Sequence, residues 1–247
     1  AASEGYSVIL CSARDRQEAR KHLSGLFSRG ADGIGLYLPE EEDPAPLFAD
    51  APERLVYASA THRSAAAKHC AAYCAFSEAT RLAAEYLLDY GHRQIALIGW
   101  QGHPFSEDLI AGYKEALYRR DITLRDEAVC LCASAEDAAG YVRQLIYGRN
   151  TAFLCQDARI AACVYRTLSH YSMQVPKDYS VIGVSDAGAL DVFAPRLTAV
   201  DLQFRRMGQL VVQTLISRIE GISKKQPEPL LLQPQLRLGG SVTPPMK

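Results

Sequence analysis

A few stretches of this chain carry residue types at spacings that chemistry could use. Gly183-Val184-Ser185-Asp186-Ala187 follows an apolar run of strand length and has the form of a nucleophile elbow with Ala in the last Gly position. A hydrolase of that plan carries its histidine after the serine, yet the last histidine here is His170. His62, His69, Cys70 and Cys74 are all metal-ligand types, but their spacing matches no standard zinc pattern and the surrounding alanines supply no turn to converge them. They read as loop histidines beside buried thiols. Cys130-Leu131-Cys132 alternates as a strand does, which puts both thiols on one face as packing groups. Gly33-Ile34-Gly35 lacks the third glycine of a dinucleotide fingerprint and stands at the start of a strand. His92, in the turn Gly91-His92-Arg93, reads as a cation at a helix C-terminus, where positive charge is favoured. These residues give no catalytic set, no metal site and no cofactor.

Composition narrows the class. The 247 residues carry a formal net charge of −1 and no basic run, so the chain lacks the positive face that gripping nucleic acid requires. No apolar stretch reaches the ~18–20 residues of a membrane helix, and no signal peptide is visible. The cysteines are odd in number (7), and several sit inside apolar runs, as in Ile9-Leu10-Cys11 and Phe153-Leu154-Cys155. They read as reduced core residues of a cytoplasmic protein.

The elements that would position any site alternate along the chain. Strands are expected over 6–11, 34–38, 54–57, 94–99, 129–132, 151–155, 179–184, 197–200, 230–232 and 236–238. Helices are expected over 14–29, 77–90, 106–120, 135–147, 158–171 and 204–220, with a short one over 47–51. The helix after Ser77, taken as its N-cap, places Ala79, Leu82, Ala83, Tyr86, Leu87 and Tyr90 on one face, and Gly91 ends it in the left-handed conformation. Residues 58–72 are hard to read, and 239–247 looks like a frayed tail. Alternation of this kind specifies an α/β fold of parallel sheets covered by helices on both faces. Ligands in such folds lie off the carboxyl ends of the strands, so the loops after Cys11 (beginning at Ser12), Leu38, Gly99, Cys155 and Val184 are candidates.

One segment is more specific than a fold class. Arg81-Leu82-Ala83-Ala84-Glu85-Tyr86-Leu87-Leu88-Asp89-Tyr90-Gly91-His92-Arg93-Gln94-Ile95-Ala96-Leu97-Ile98-Gly99 resembles the most recognisable stretch of the LacI-type transcription regulators. In register with it, Gly112-Tyr113 with Ala116-Leu117 is similar to that family's Gly-aromatic helix. Val175-Pro176-Lys177-Asp178-Tyr179-Ser180-Val181-Ile182-Gly183 is similar to its Val-Pro turn and strand. Pro195-Arg196-Leu197-Thr198-Ala199-Val200 resembles its Pro-Pro-Leu-Thr-Thr-Val, and 204–221 resembles the helix that follows.

The resemblance implies an effector-sensing domain of periplasmic-binding-protein type with two α/β lobes: 1–74 plus 202–234, and 75–201 plus 235–247. Crossovers are expected near Tyr73–Ala75, Val200–Leu202 and Gln233–Gln235. It further implies a small-molecule effector held between the lobes, a homodimer, no membrane, and operator DNA bound only through an N-terminal helix-turn-helix headpiece that this chain lacks. The family's first strand is expected before Gly5. The effector residues carried over are Asp157, Ser185, Asp186, Phe204, Phe76, Leu109 and Ser12. Three depart from the family pattern. Leu109 stands where its sugar-gripping arginine would be, Asp157 where its Asn would be, with Ala158 following, and Ser185 where the first Asp of an Asp-Asp pair would be. A register shifted by one makes Gln156-Asp157 the pair instead. Loss of the arginine removes five donors in a rigid fork, so a neutral sugar held in the usual way is not expected; the alternatives are a less polar or positively charged ligand suited to Asp157, or no small ligand at all. A free-standing solute-binding protein shares the fold and is the alternative, and a hydrolase using Ser185 is another.

Overall fold

The computed structural model describes residues 5–13, 16–38, 55–59, 70–184, 186–222 and 228–246. The chain divides into two compact units. One is Ala1–Cys74 with Arg205–Leu232, and the other is Ala75–Phe204 with Gln233–Lys247.

The first unit carries a four-stranded sheet. Strands β1 (Ile34–Leu38), β2 (Leu55–Ser59), β3 (Cys70–Cys74) and β9 (Leu230–Leu232) run parallel in that order. The period of two along β1 sorts its neighbours. Ile34 packs with Leu23, Leu26 and Phe27 of helix α1 (Arg16–Ser28). Gly33 and Gly35 lie under helix α6 (Phe204–Ile219), where an added Cβ would come 2.6 Å from Leu215 and 2.9 Å from Val211. Helices therefore cover both faces of this sheet.

Three expectations fail in this unit. Residues 6–11 form no strand; Val8, Ile9 and Leu10 are 68, 63 and 94% exposed, and Cys11 is an exposed thiol, not a core one. An apolar run becomes a strand only where another strand pairs with it, and β1 is hydrogen-bonded only to β2 among the described residues. Conversely, β3 was not expected: Cys-Ala-Ala-Tyr-Cys has no β-branched residue, yet it runs between two described neighbours and is nearly all buried. The short helix expected over 47–51, and His62 and His69, lie outside the described residues.

The second unit is built on a six-stranded sheet in the order β10-β8-β7-β6-β4-β5, all parallel except β10. Its strands are β4 (Ile95–Trp100), β5 (Val129–Cys132), β6 (Ala152–Cys155), β7 (Ser180–Val184), β8 (Thr198–Asp201) and β10 (Gln235–Arg237). Helices α4 (Ala135–Leu145) and α5 (Ala158–His170) cover one face over Ala96, Ile98, Cys130, Cys132, Phe153 and Cys155. Helices α2 (Phe76–Asp89) and α3 (Ser106–Tyr118) pack on each other closely enough that a Cβ on Gly112 would drive into the Ser77 carbonyl. The Tyr113 hydroxyl donates to the Ile95 carbonyl (2.8 Å), tying α3 to β4.

Helix α2 starts one residue before Ser77, and its N-cap is Ala75, which offers no side-chain bond. Gly91 does end that helix, with φ +93°. The next residue departs from expectation. His92 is 1% exposed and no helix-end cation. Its Nδ1 lies 2.8 Å from the Thr151 hydroxyl, and its Nε2 lies 2.9 Å from the Thr243 carbonyl and 3.0 Å from Ser180 Oγ. A carbonyl only accepts, so Nε2 carries the proton and Nδ1 accepts from Thr151. Burial lowers the pKa of the ring and outweighs the opposing bond to Thr243.

The same network overturns the frayed tail. Ser241 is fully buried; its Oγ accepts from the Thr198 amide (2.8 Å) and donates to the Val181 carbonyl (2.6 Å), while its own carbonyl accepts from the Val181 amide (2.8 Å). The Thr243 amide donates to Ser180 Oγ (3.0 Å). The terminal segment is a strap stitched onto β7 and β8.

Candidate functional site

The parallel strands of the second unit end together, and their carboxyl edge gathers polar side chains above an apolar floor. Strand β4 ends at Trp100. Strand β6 ends at Cys155 and leads through Gln156 and Asp157 into α5. Because β4 and β6 are neighbours, these two loops meet.

Asp157 is the N-cap of α5 and accepts from the Ile160 amide through Oδ1 (2.8 Å). Its Oδ2 accepts from the indole N–H of Trp100 (2.8 Å) and from Arg159 Nε (3.3 Å). The guanidinium of Arg159 lies over the Trp100 ring, 4.9 Å from its centroid. Arg159 is 74% exposed in its side chain and Asp157 29%. With three donors already on it, the Asp157 carboxylate serves the protein's own groups, which removes the reason for expecting a positively charged ligand.

Gln156 is 2% exposed, and its Oε1 accepts from the Trp100 amide (2.7 Å). That bond fixes which end of the side-chain amide is oxygen, and it leaves Nε2 buried without a partner among the described residues. The Trp100 carbonyl accepts from Ser106 Oγ (2.7 Å) at the start of α3. Phe105, just before that helix, stacks on Phe76 with ring centroids 5.0 Å apart, and His103 lies edge-on to Phe105 at 5.1 Å. Burial lowers the His103 pKa; the charge of Asp157 opposes this and that of Arg159 reinforces it.

The expected site residues divide accordingly. Asp157, Phe76 and Leu109 belong to this one cluster. Phe76 is 4% exposed and Leu109 fully buried, with its Cδ2 and Gln156 Oε1 each 2.6 Å from where a Cβ on Gly99 would be. Leu109 is thus floor. Asp186 caps its own short turn, Ala187–Val192, by accepting from the Gly188 amide (2.7 Å). Ser185 lies outside the described residues. Phe204 is half-buried at the first position of α6, and Ser12 is exposed in the irregular segment of the first unit.

Trp100, His103 and Arg159 were not among the expected residues, and Gln156 entered only through the shifted register. The signal for Trp100 was present: it is the chain's 1 tryptophan, and it stands where a buried strand ends. Among the described residues no group of His, Cys, Asp and Glu could hold a metal ion. The Cys130 thiol is pushed up to about 11 by burial, and those of Cys132 (to about 12) and Cys155 are pushed up by burial first, so they are packing groups rather than nucleophiles.

Comparison with known proteins agrees with this architecture. The model of the periplasmic binding protein-like domain family matches residues 84–242, more than half of the chain. The chain is 26% identical over 234 residues to the HTH-type transcriptional repressor PurR of Glaesserella parasuis, covering 92% of this chain and 68% of that protein. It is 27% identical over 248 residues to the ribose operon repressor of Escherichia coli K12, covering 95% and 70% respectively. A LacI family transcriptional regulator from Enterococcus faecium, solved with bound ribose, superposes with a TM-score of 0.78 at 22% identity, over 99% of this chain and 90% of that one. The chain thus spans about two thirds of the length of the curated relatives it matches. Those relatives are transcriptional repressors, not enzymes. The chain belongs to the periplasmic binding protein-like domain family and is homologous to the transcriptional repressor PurR and the ribose operon repressor.

Proposed function

We propose that the two units are the lobes of a small-molecule sensor in a cytoplasmic, homodimeric transcription repressor. Ligand binding shifts an equilibrium that a DNA-binding headpiece reads at the operator. The observation that carries this is the cluster of Trp100, Gln156 and Asp157 at the carboxyl edge of the second sheet. It lies where ligands bind in open α/β folds, and it joins an aromatic face to fixed polar groups as small-molecule sites do. Asp157, Ser185, Asp186, Phe204, Phe76 and Ser12 are proposed as effector-site residues, with Leu109 as floor. The homologous ribose operon repressor and the ribose-bound regulator point to a ring compound as effector. Leu109 in place of an arginine sets this site apart from one that grips a neutral sugar by a guanidinium fork.

A thermal-shift screen across sugars, sugar phosphates, nucleosides and polyols tests the proposal. A ligand at a hundred times its Kd stabilises the folded form by about 2.7 kcal/mol, which for a domain of this size raises Tm by about 5–11 °C. A chain whose Tm stays fixed across all four classes would not be a sensor of this kind.

A further inference from the structure

Resting on that proposed function, we infer that Arg159 and Trp100 form the ligand-reading element of the second unit and select a ring compound bearing an anionic group. Arg159 is the second residue of α5, at the positive end of the helix dipole, where a cation is disfavoured. It is largely exposed, and its only polar contact among the described residues is through Nε to Asp157. Both η nitrogens are therefore left with their hydrogens to donate, in the planar fork that fits a carboxylate or phosphate.

The indole beneath is held flat and immobile. Asp157 takes its N–H, Gln156 Oε1 takes the Trp100 amide, and Ser106 donates to its carbonyl. An aromatic side chain suits contact with a ring compound, and the guanidinium lying on it can grip an anionic substituent of the same molecule. Gln156, beside them, has a buried Nε2 with no acceptor among the described residues, while the other end of the same amide accepts from the Trp100 amide. Buried donors are nearly always paired, and an oxygen-rich ligand brings acceptors. Asp157 does not repel such a ligand strongly, because three donors already share its charge.

The chain's 1 tryptophan makes the test direct, since all indole emission comes from Trp100. Matched pairs are titrated into the intact chain: glucose and glucose 6-phosphate, ribose and ribose 5-phosphate, galactose and galacturonate, with inorganic phosphate alone as control. At least one anionic member changes the emission and binds tenfold or more tighter than its neutral twin, while phosphate alone binds weakly. The phosphate and carboxylate arms separate the two sources of charge. Arg159→Gln removes the preference, and Trp100→Phe removes the emission signal and lessens the ligand-induced rise in Tm. Equal binding of the neutral twin, or a preference that survives Arg159→Gln, overturns the inference and leaves the sensor standing. No response from any pair, in emission or in Tm, overturns the inference, while the sensor stands or falls by the four-class thermal-shift screen.

Discussion

The two units solve the same folding problem with unequal completeness. In the second, β4, β6 and β7 are buried from end to end apart from the last residue of β4, helices lie on both faces, and the C-terminal strap closes β7 and β8 from outside. In the first, the sheet has four described strands, α6 buries only Met207 and Val211, and the apolar segment around Leu10 faces water. The difference teaches where sequence change is felt. In the second unit backbone touches backbone, as at Gly112, whereas in the first the close approaches at Gly33 and Gly35 are to side chains of α6.

Glycine substitutions expose that contrast most sharply. Gly112→Ala puts a methyl group into the Ser77 carbonyl between α2 and α3. Backbone cannot yield as a flexible side chain does, so the cost is about 3 kcal/mol or more, read as a large fall in the urea midpoint. Gly208→Ala, inside α6 of the first unit, meets nothing within 4 Å. It should raise stability by about 0.5–1 kcal/mol through helix propensity alone. Equal effects at the two sites would erase the distinction.

The strap gives the next largest effect. Ser241→Ala leaves the Thr198 amide and the Val181 carbonyl without their hydroxyl partner in a dry site. The expected loss is about 1–3 kcal/mol, measured by chemical unfolding.

His92 ties the strap to pH. Its pKa is lower in the folded chain than the value near 6.5 of an unfolded one. As pH falls, the unfolded chain binds the proton first. The stability is therefore intact above about 6.5 and declines from there down to the folded-state pKa. His103 is shifted in the same direction and adds to the slope. In His92→Gln the slope of Tm between pH 7 and 5 should shrink without vanishing, and an unchanged slope would remove His92 from the account. Smallest of all, Leu10→Ser alters a side chain already 94% exposed and should move stability by less than about 0.5 kcal/mol.

What could be read from sequence follows from the same physics. Strands β5 and β9 fall where the apolar runs put them, and α3 and α5 match within two residues, because periodicity records burial directly. A strand at 6–11 did not materialise, and β3 escaped notice, because a strand depends on its neighbours more than on its own residues. The strap and His92 escaped because their bonds join residues 43 to 151 positions apart in the chain. At the site, Asp157 was legible from the resemblance and its place before a helix. Its bond to Trp100, and the seating of Arg159 on that ring, depend on the pairing of β4 with β6 and carry no local signature.

The central claim is that Asp157 and its partners read a small molecule. The most direct measurement is a calorimetric titration of the best-stabilising compounds against the parent, Asp157→Asn, and Asp89→Asn as a surface control on α2. The account predicts that Asp157→Asn changes the order in which those compounds bind while Asp89→Asn preserves it. The same affinities in the same order for all three proteins would contradict it.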